Sequence, residues 1–368
     1  MKKSDCEYFG KCKSCVLDLE YKEQIYSKKS EIAEFFGSLY TGEIEFFASD
    51  EFRFRSRCEF GFWHEGDDLF YTMNGDEKAK ICINSCKIVD EKISNLMPNL
   101  LKFIKFSPNL KHKLFGCEFI TTKDEILVVL LYHRNIDEIA LDLENLSSNL
   151  NINLIARSRK KRLVFGTDIL NESLNINGDK FKYFISESSF IQPNRKINEK
   201  MIEFALNCVK NPKDLLEIYC GHGNFTIALG SKFNQILATE ISKNSINLAL
   251  ENAKLNSVKN IDFLRMSAEE LMSAFSGSRE FRRLRDLNLA KFDFSHVLLD
   301  PPRAGCDKSV LSFISKIPNI IYISCNPVSL KRDLEILSNT HKIEKFAAFD
   351  QFAHTRHIES AVLLSKNE

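Results

Sequence analysis

The chain has 368 residues, 44% hydrophobic and 27% charged, which is too long for one ordinary core and too apolar for a disordered polymer. Its 51 basic and 50 acidic side chains leave a net charge of +1, which excludes a globally basic nucleic-acid binder and confines any RNA surface to a local patch. No run of 18 apolar residues occurs and Met1-Lys2-Lys3-Ser4-Asp5 leads into no apolar signal core, so a cytoplasmic protein with no membrane partner is expected.

Eleven cysteines in such a chain argue for thiol or metal chemistry more than for disulfides. Cys6, Cys12 and Cys15 form a C-x5-C-x2-C group that can bring thiolates to one metal centre, with Cys86 or Cys82 as a fourth ligand. The competing reading is three reduced thiols near a terminus. Tyr21 to Leu39 has the apolar spacing of an amphipathic helix. From Glu45 to Tyr71 the chain is rich in Phe and Arg, and strand-like alternation from Phe52 to Arg57 would put Arg53, Arg55 and Arg57 on one face. That face is either solvated or an RNA surface, with guanidinium groups on phosphates and aromatic rings on unpaired bases.

Residues 100–185 continue as strands, at Phe119 to Thr122, Ile126 to His133, Ile152 to Ala156 and Leu163 to Gly166. They carry a second basic run, Arg157, Arg159, Lys160, Lys161 and Arg162. The pattern then changes. Residues 1–180 are read as a β-rich (α+β) RNA-binding domain with the cysteine group at 6–15, and residues 181–368 as an α/β domain that starts with a helix from Lys196 to Val209.

In that second half, Leu215 to Cys220 reads as a buried strand and Gly221-His222-Gly223-Asn224 as a turn into a helix, where the backbone passes close to a ligand. The strand from Phe233 to Thr239 ends at Glu240, an acid placed to accept from ribose hydroxyls. Thr226 stands where a dinucleotide fingerprint wants its third glycine, so S-adenosylmethionine fits better than NAD. Val297 to Leu299 is a further buried strand, and Asp300-Pro301-Pro302 turns Asp300 toward the same crevice. Ile320 to Ile323 is another, ending at Ser324-Cys325-Asn326-Pro327. Cys325 is either a small buried residue or a thiol delivered into the cleft. Before the last apolar strand stands Glu359, which is either a strand-edge carboxylate or a general base.

LLEIYCGHGNF, DPPRAG, YISCNP and HIESAVLL together resemble the RNA uracil-5-methyltransferase family, closest to its tRNA (uracil-5-)-methyltransferases of the TrmA type. RCEFGFWHEGDDLFY, HKLFG and REFRRLRDLNL extend the likeness over nearly the whole chain. The resemblance implies a Rossmann-like methyltransferase domain. It also implies contacts to S-adenosylmethionine from Gln192, Tyr219, Asn224, Glu240 and Asp300 beside Gly221, with Cys325 as nucleophile and Glu359 as base. The substrate implied is a uridine in the T-arm of tRNA, with no obligate protein partner. The cysteine group resembles the ligands of related ribosomal-RNA enzymes and implies a [4Fe–4S] cluster on Cys6, Cys12, Cys15 and Cys86. It leaves the same chemistry on 23S ribosomal RNA, or on other structured RNA, as an alternative target. An RNA-folding protein with incidental methylation is a further alternative.

Overall fold

The computed structural model describes residues 6–367. Helix α1 (Tyr21–Phe36) buries Gln24, Lys28, Ile32 and Phe36, a stripe repeating every four residues. Its apolar end packs into a core; its polar end, unusually for a buried face, meets a loop near the C-terminus. Strand β1 (Ile44–Phe47) then pairs in parallel with a strand almost 300 residues later, in the register Ile44 opposite Phe346. The N-terminal segment therefore belongs to two places, and the expected division at residue 181 does not describe residues 21–47.

A seven-stranded sheet follows, formed by β2 (Arg57–Glu65), β3 (Asp68–Asn74), β4 (Lys80–Ile83), β5 (Leu114–Thr121), β6 (Ile126–Tyr132), β7 (Asn153–Ser158) and β8 (Lys161–Phe165), in the order β4-β3-β2-β5-β6-β7-β8. It is antiparallel except between β6 and β7. The helices α2 (Glu91–Lys105), α3 (Pro108–Lys111) and α4 (Ala140–Leu150) supply Ile93, Met97, Leu100, Leu110, Leu143 and Leu146 to the core beneath Tyr71, Phe119 and Tyr132. Alternation of buried and exposed positions along β2 is the expected signature of a sheet covered on one face.

The expected strand through Phe52 to Arg57 is corrected here. Arg53 has φ +60°, so the chain bends instead of extending, and β2 begins only at Arg57. The bend takes Arg53 out of the alternation, which runs only from Phe54 onward. Arg57 is a clamp: it meets Glu118 and donates to the carbonyls of Glu187 and Ser189. Arg55 lies 5.4 Å from the Phe352 ring centre.

The hairpin β9 (Ile169–Ile176) and β10 (Asp179–Ser186) leads into the larger half. There α5 (Arg195–Asn207), β11 (Asp214–Ile218), α6 (Thr226–Leu229), β12 (Ile236–Glu240), α7 (Lys243–Leu255), β13 (Ile261–Arg265) and α8 (Ala268–Phe275) alternate. They continue as β14 (Phe294–Leu299), α9 (Lys308–Ile314), β15 (Asn319–Ser324), α10 (Pro327–Leu337), β16 (His341–Phe349) and β17 (Glu359–Lys366). The sheet order is β1-β16-β17-β15-β14-β11-β12-β13, and β17 alone runs antiparallel to both its neighbours. Helices α5 to α7 and the hairpin cover one face; α1 and α8 to α10 cover the other. Burial on both faces is why β11, β14 and β15 read as largely apolar runs. Among the described residues no helix is long and apolar enough to cross a membrane.

Candidate active site

From β11 the chain moves outward one way to β12 and β13, then returns to place β14 and β15 on the other side. The strand order thus reverses between β11 and β14, and a crevice opens at their carboxyl ends. Tyr219 follows β11 with φ +69°, a strained conformation for a side chain of that size. Gly221 has φ +56° and nothing within 4 Å of where a Cβ would stand, so the backbone borders open space. Glu240 closes β12; one carboxylate oxygen accepts from the Ser242 amide at 2.7 Å, which leaves the other for a ligand. Asn224 is held by a reciprocal amide pair with Asn198, at 2.8 and 2.9 Å. Gln192 lines a cavity together with Asn198, Asn224, His222 and Tyr183.

Two turns converge on Cys325. Asn326 caps α10 by accepting from the Val328 amide, and its own amide donates to the Arg303 carbonyl at 2.9 Å, tying the Cys325 turn to Asp300-Pro301-Pro302-Arg303. Gly305, at φ +79°, lies so close to Asp333 and Arg332 that a Cβ would meet them at 2.6 and 2.7 Å. Asp333 accepts from the Cys306 amide and the Tyr322 hydroxyl, so α10 pins both turns. On the other side, Ser324 pairs with Ser360 in the β15–β17 ladder, and the next residue on each strand is Cys325 and Glu359. The antiparallel β17 is what brings the terminal glutamate to the thiol.

The electrostatics follow from burial. Burial, then the charges of Glu359 and Asp300, pushes the half-buried Cys325 thiol up to about 11, with Arg303 opposing. Glu359 is pushed up to about 8 by burial and by Asp300, again against Arg303, and Asp300 to about 7 by burial. Glu217 on β11, fully buried, is also pushed up to about 8 by burial; neither of its oxygens has a hydrogen-bond partner, and the nearby Thr226 hydroxyl offsets burial only in part. Two raised carboxyls, Glu359 and Asp300, act on the Cys325 thiol, an arrangement suited to receiving positive charge. Glu217 and Arg303 were not singled out by sequence, although an acid inside the apolar strand Leu215 to Ile218 is itself a signal.

The structure brings Gln192, Tyr219, Gly221, Asn224, Glu240, Asp300, Cys325 and Glu359 to one end of the sheet. Cys6, Cys12, Cys15 and Cys86 line a second, apolar cavity with Phe9, Phe52 and Ile83; the exposed Cys82 does not. Burial, then Cys86, Cys12 and Cys6, pushes the Cys15 thiol up to about 12. Even so, among the described residues no group of three or more His, Cys, Asp or Glu side chains is arranged to hold a metal ion. His354, beside this cavity, has both ring nitrogens occupied, by Gln24 and the Glu51 carbonyl.

A doubly wound sheet with a glycine turn after its first strand, an acid closing the second and a final antiparallel strand is the Rossmann-like fold of S-adenosylmethionine-dependent methyltransferases, here joined to a β-rich domain. The family model described as tRNA (Uracil-5-)-methyltransferase matches residues 20–367. A tRNA/tmRNA (uracil-C(5))-methyltransferase of Campylobacter hominis is 54% identical over 98% of this chain and 99% of its own length, and one of Sulfurovum sp. is 46% identical over 98% and 99%. The crystal structure of Pyrococcus abyssi tRNA (uracil-54, C5)-methyltransferase in complex with S-adenosyl-L-homocysteine matches the fold with a TM-score of 0.73 at 22% identity, covering 94% of this chain and 84% of that one. The chain belongs to the tRNA (uracil-5-)-methyltransferase family.

Proposed function

We propose that this enzyme methylates carbon 5 of a uridine in the T-loop of tRNA, through a covalent bond between Cys325 and carbon 6 of the uracil. The observation that carries the reading is the meeting of Cys325 and Glu359 at paired strand ends beside the glycine turn. S-adenosylmethionine supplies, when bound, a methyl group on a sulfonium. Gln192, Tyr219, Gly221, Asn224, Glu240 and Asp300 would hold it, a role supported by the free carboxylate oxygen of Glu240 and the open space beside Gly221.

Cys325 adds to carbon 6 as a thiolate, which moves electron density to carbon 5 and makes that carbon the nucleophile for the methyl group. Glu359 then removes the proton left on carbon 5; the double bond reforms and the thiolate leaves. A thiol pushed up to about 11 and a carboxyl pushed up to about 8 both favour their protonated forms at neutral pH. Each ionises more readily beside a cation, so the reactive forms are expected once the sulfonium is in place.

A uracil stacked in folded RNA cannot reach this crevice and must be turned out of its loop. RNA binding by the β-rich domain is supported by a cleft of about 770 Å³ in which Arg134, Arg157, Arg159, Lys160 and Lys161 surround Phe115 and His133, whose rings stack at 3.9 Å. tRNA, and not 23S ribosomal RNA, is the substrate supported by the names of the relatives. A cytoplasmic location and action without an obligate protein partner belong to the same proposal.

The proposal includes a [4Fe–4S] cluster on Cys6, Cys12, Cys15 and Cys86. Four thiols around one apolar cavity are a donor set suited to it, and the backbone amides of Ile88 and Val89 point at the Cys86 sulfur. It would tie the N-terminal loop to the loop between β4 and α2 that carries Cys86, while the Val16 and Leu17 amides separately donate to the His354 carbonyl before β17. A broad visible absorption in anaerobically purified protein, lost in Cys12→Ala, is expected; a colourless protein without iron would remove the cluster. For the reaction itself, purified enzyme, unmodified tRNA and S-adenosylmethionine should yield 5-methyluridine by nucleoside mass spectrometry. Product formed on ribosomal RNA alone would overturn the substrate.

A further inference from the structure

Gln351 stands in the loop between β16 and β17. Its side chain is fully buried, an uncommon fate for a glutamine that demands partners for its amide. The amide nitrogen donates to the Gln192 side-chain oxygen at 2.7 Å and lies 3.7 Å from the Met201 sulfur. The amide oxygen has no partner. The backbone around it is fixed from three sides. Its own amide donates to the Phe349 carbonyl at 2.9 Å, and Asn194 donates to its carbonyl at 3.4 Å. The preceding Asp350 is gripped by the Lys28 ammonium at 2.7 Å and the Tyr21 hydroxyl at 2.8 Å, both from α1.

The consequence lies at Gln192. An amide side chain can offer a ligand either its oxygen or its nitrogen, and rotation by half a turn exchanges them at little steric cost. Because Gln351 occupies the oxygen, the NH2 is the group of Gln192 left to meet a ligand in the cavity that it lines with Asn198 and Asn224. We infer that Gln351 is a positioning residue that locks Gln192 as a hydrogen-bond donor to an acceptor oxygen of S-adenosylmethionine. The inference rests on the proposed cofactor role of Gln192. It also accounts for the buried Lys28–Asp350 pair, which holds the loop on which Gln351 is carried.

Gln351→Met keeps the length and volume of the side chain but cannot donate; Gln351→Glu keeps its shape and can only accept, which favours the opposite Gln192 orientation. Titration calorimetry with S-adenosylhomocysteine, on the full chain and alongside thermal unfolding, should show Kd raised about tenfold in both variants, the loss of roughly one directed hydrogen bond. The KM for S-adenosylmethionine should rise with it while kcat changes little. Gln192→Ala should weaken binding by a similar factor, and adding Gln351→Met to it should cost nothing further, because one residue acts through the other. Full affinity in both Gln351 variants, or an equal added loss in the Gln192→Ala background, would overturn the positioning role alone. Full affinity in Gln192→Ala would overturn the cofactor role of Gln192 and the inference with it. A fall in melting temperature without a change in Kd would show that Gln351 only packs.

Discussion

Glu217→Gln isolates the energetic cost of burying a carboxyl inside the central sheet. In the wild type the Glu217 carboxyl is pushed from 4.5 to about 8, chiefly by burial, because it lies within the sheet with only the nearby Thr226 hydroxyl to offset it. The folded protein therefore holds a proton that the unfolded chain releases. The contribution of this group is fully present below the unfolded value of 4.5 and is lost as pH rises through 8. With each pH unit between those limits worth about 1.4 kcal/mol, the loss between pH 5 and pH 9 is about 4 kcal/mol. Glutamine has nearly the same shape and no proton to lose. Its unpaired buried amide carries a cost of its own, but that cost is independent of pH and cancels when two pH values are compared. Urea unfolding at pH 5 and pH 9 should therefore show the stability of Glu217→Gln gaining about 4 kcal/mol on the wild type over that range. Parallel pH dependences would refute the reasoning and require a cation or donor beside Glu217 in the folded state.

Other perturbations test the reaction and its scaffold. Cys325→Ala should abolish methyl transfer and any covalent RNA adduct while retaining S-adenosylhomocysteine binding by calorimetry; turnover by this variant would remove the thiol from the mechanism. Glu359→Gln should still methylate but remain bound to RNA, visible as a complex stable on a denaturing gel, and rapid product release would argue against proton removal by Glu359. Because Glu359 and Cys325 must both lose protons, and both are held above their ordinary values, single-turnover rates should climb from pH 6 toward pH 9. A flat profile would mean that neither ionisation limits the reaction. Asp350→Ala leaves the Lys28 ammonium, 2% exposed, without its partner and should cost roughly 3–5 kcal/mol in urea unfolding. A loss below about 1 kcal/mol would show that water reaches the pair.

Much of the site was legible because doubly wound sheets collect chemistry at strand ends. Gly221, Glu240, Asp300 and Cys325 each follow an apolar run, and parallel strands necessarily deliver them to one edge. Glu359 was less secure, since only the antiparallel pairing of β17 with β15 sets it opposite Cys325, and no local pattern encodes that direction. The Phe52 to Arg57 stretch misled because alternation in composition was read as an extended backbone, while Arg53 bends the chain and ion pairing holds Arg57. Strand β1 was invisible for another reason. Ile44 to Phe47 is four residues long, and it becomes a strand only by pairing with Phe346 to Phe349, a contact formed across the whole chain. The burial of Gln24 and Lys28 has no local signal either, because their partners, His354 and Asp350, stand in the loop before β17.

The thiol at the end of β15 is tested most directly with a T-arm RNA carrying 5-fluorouridine at the target position, where fluorine on carbon 5 leaves no proton for a base to remove. Incubated with the enzyme and S-adenosylmethionine, digested and sequenced by mass spectrometry, it should yield a methylated nucleotide bonded to the peptide containing Cys325, and to no other. An adduct on a different cysteine, or methylated RNA with no adduct at all, would contradict the account.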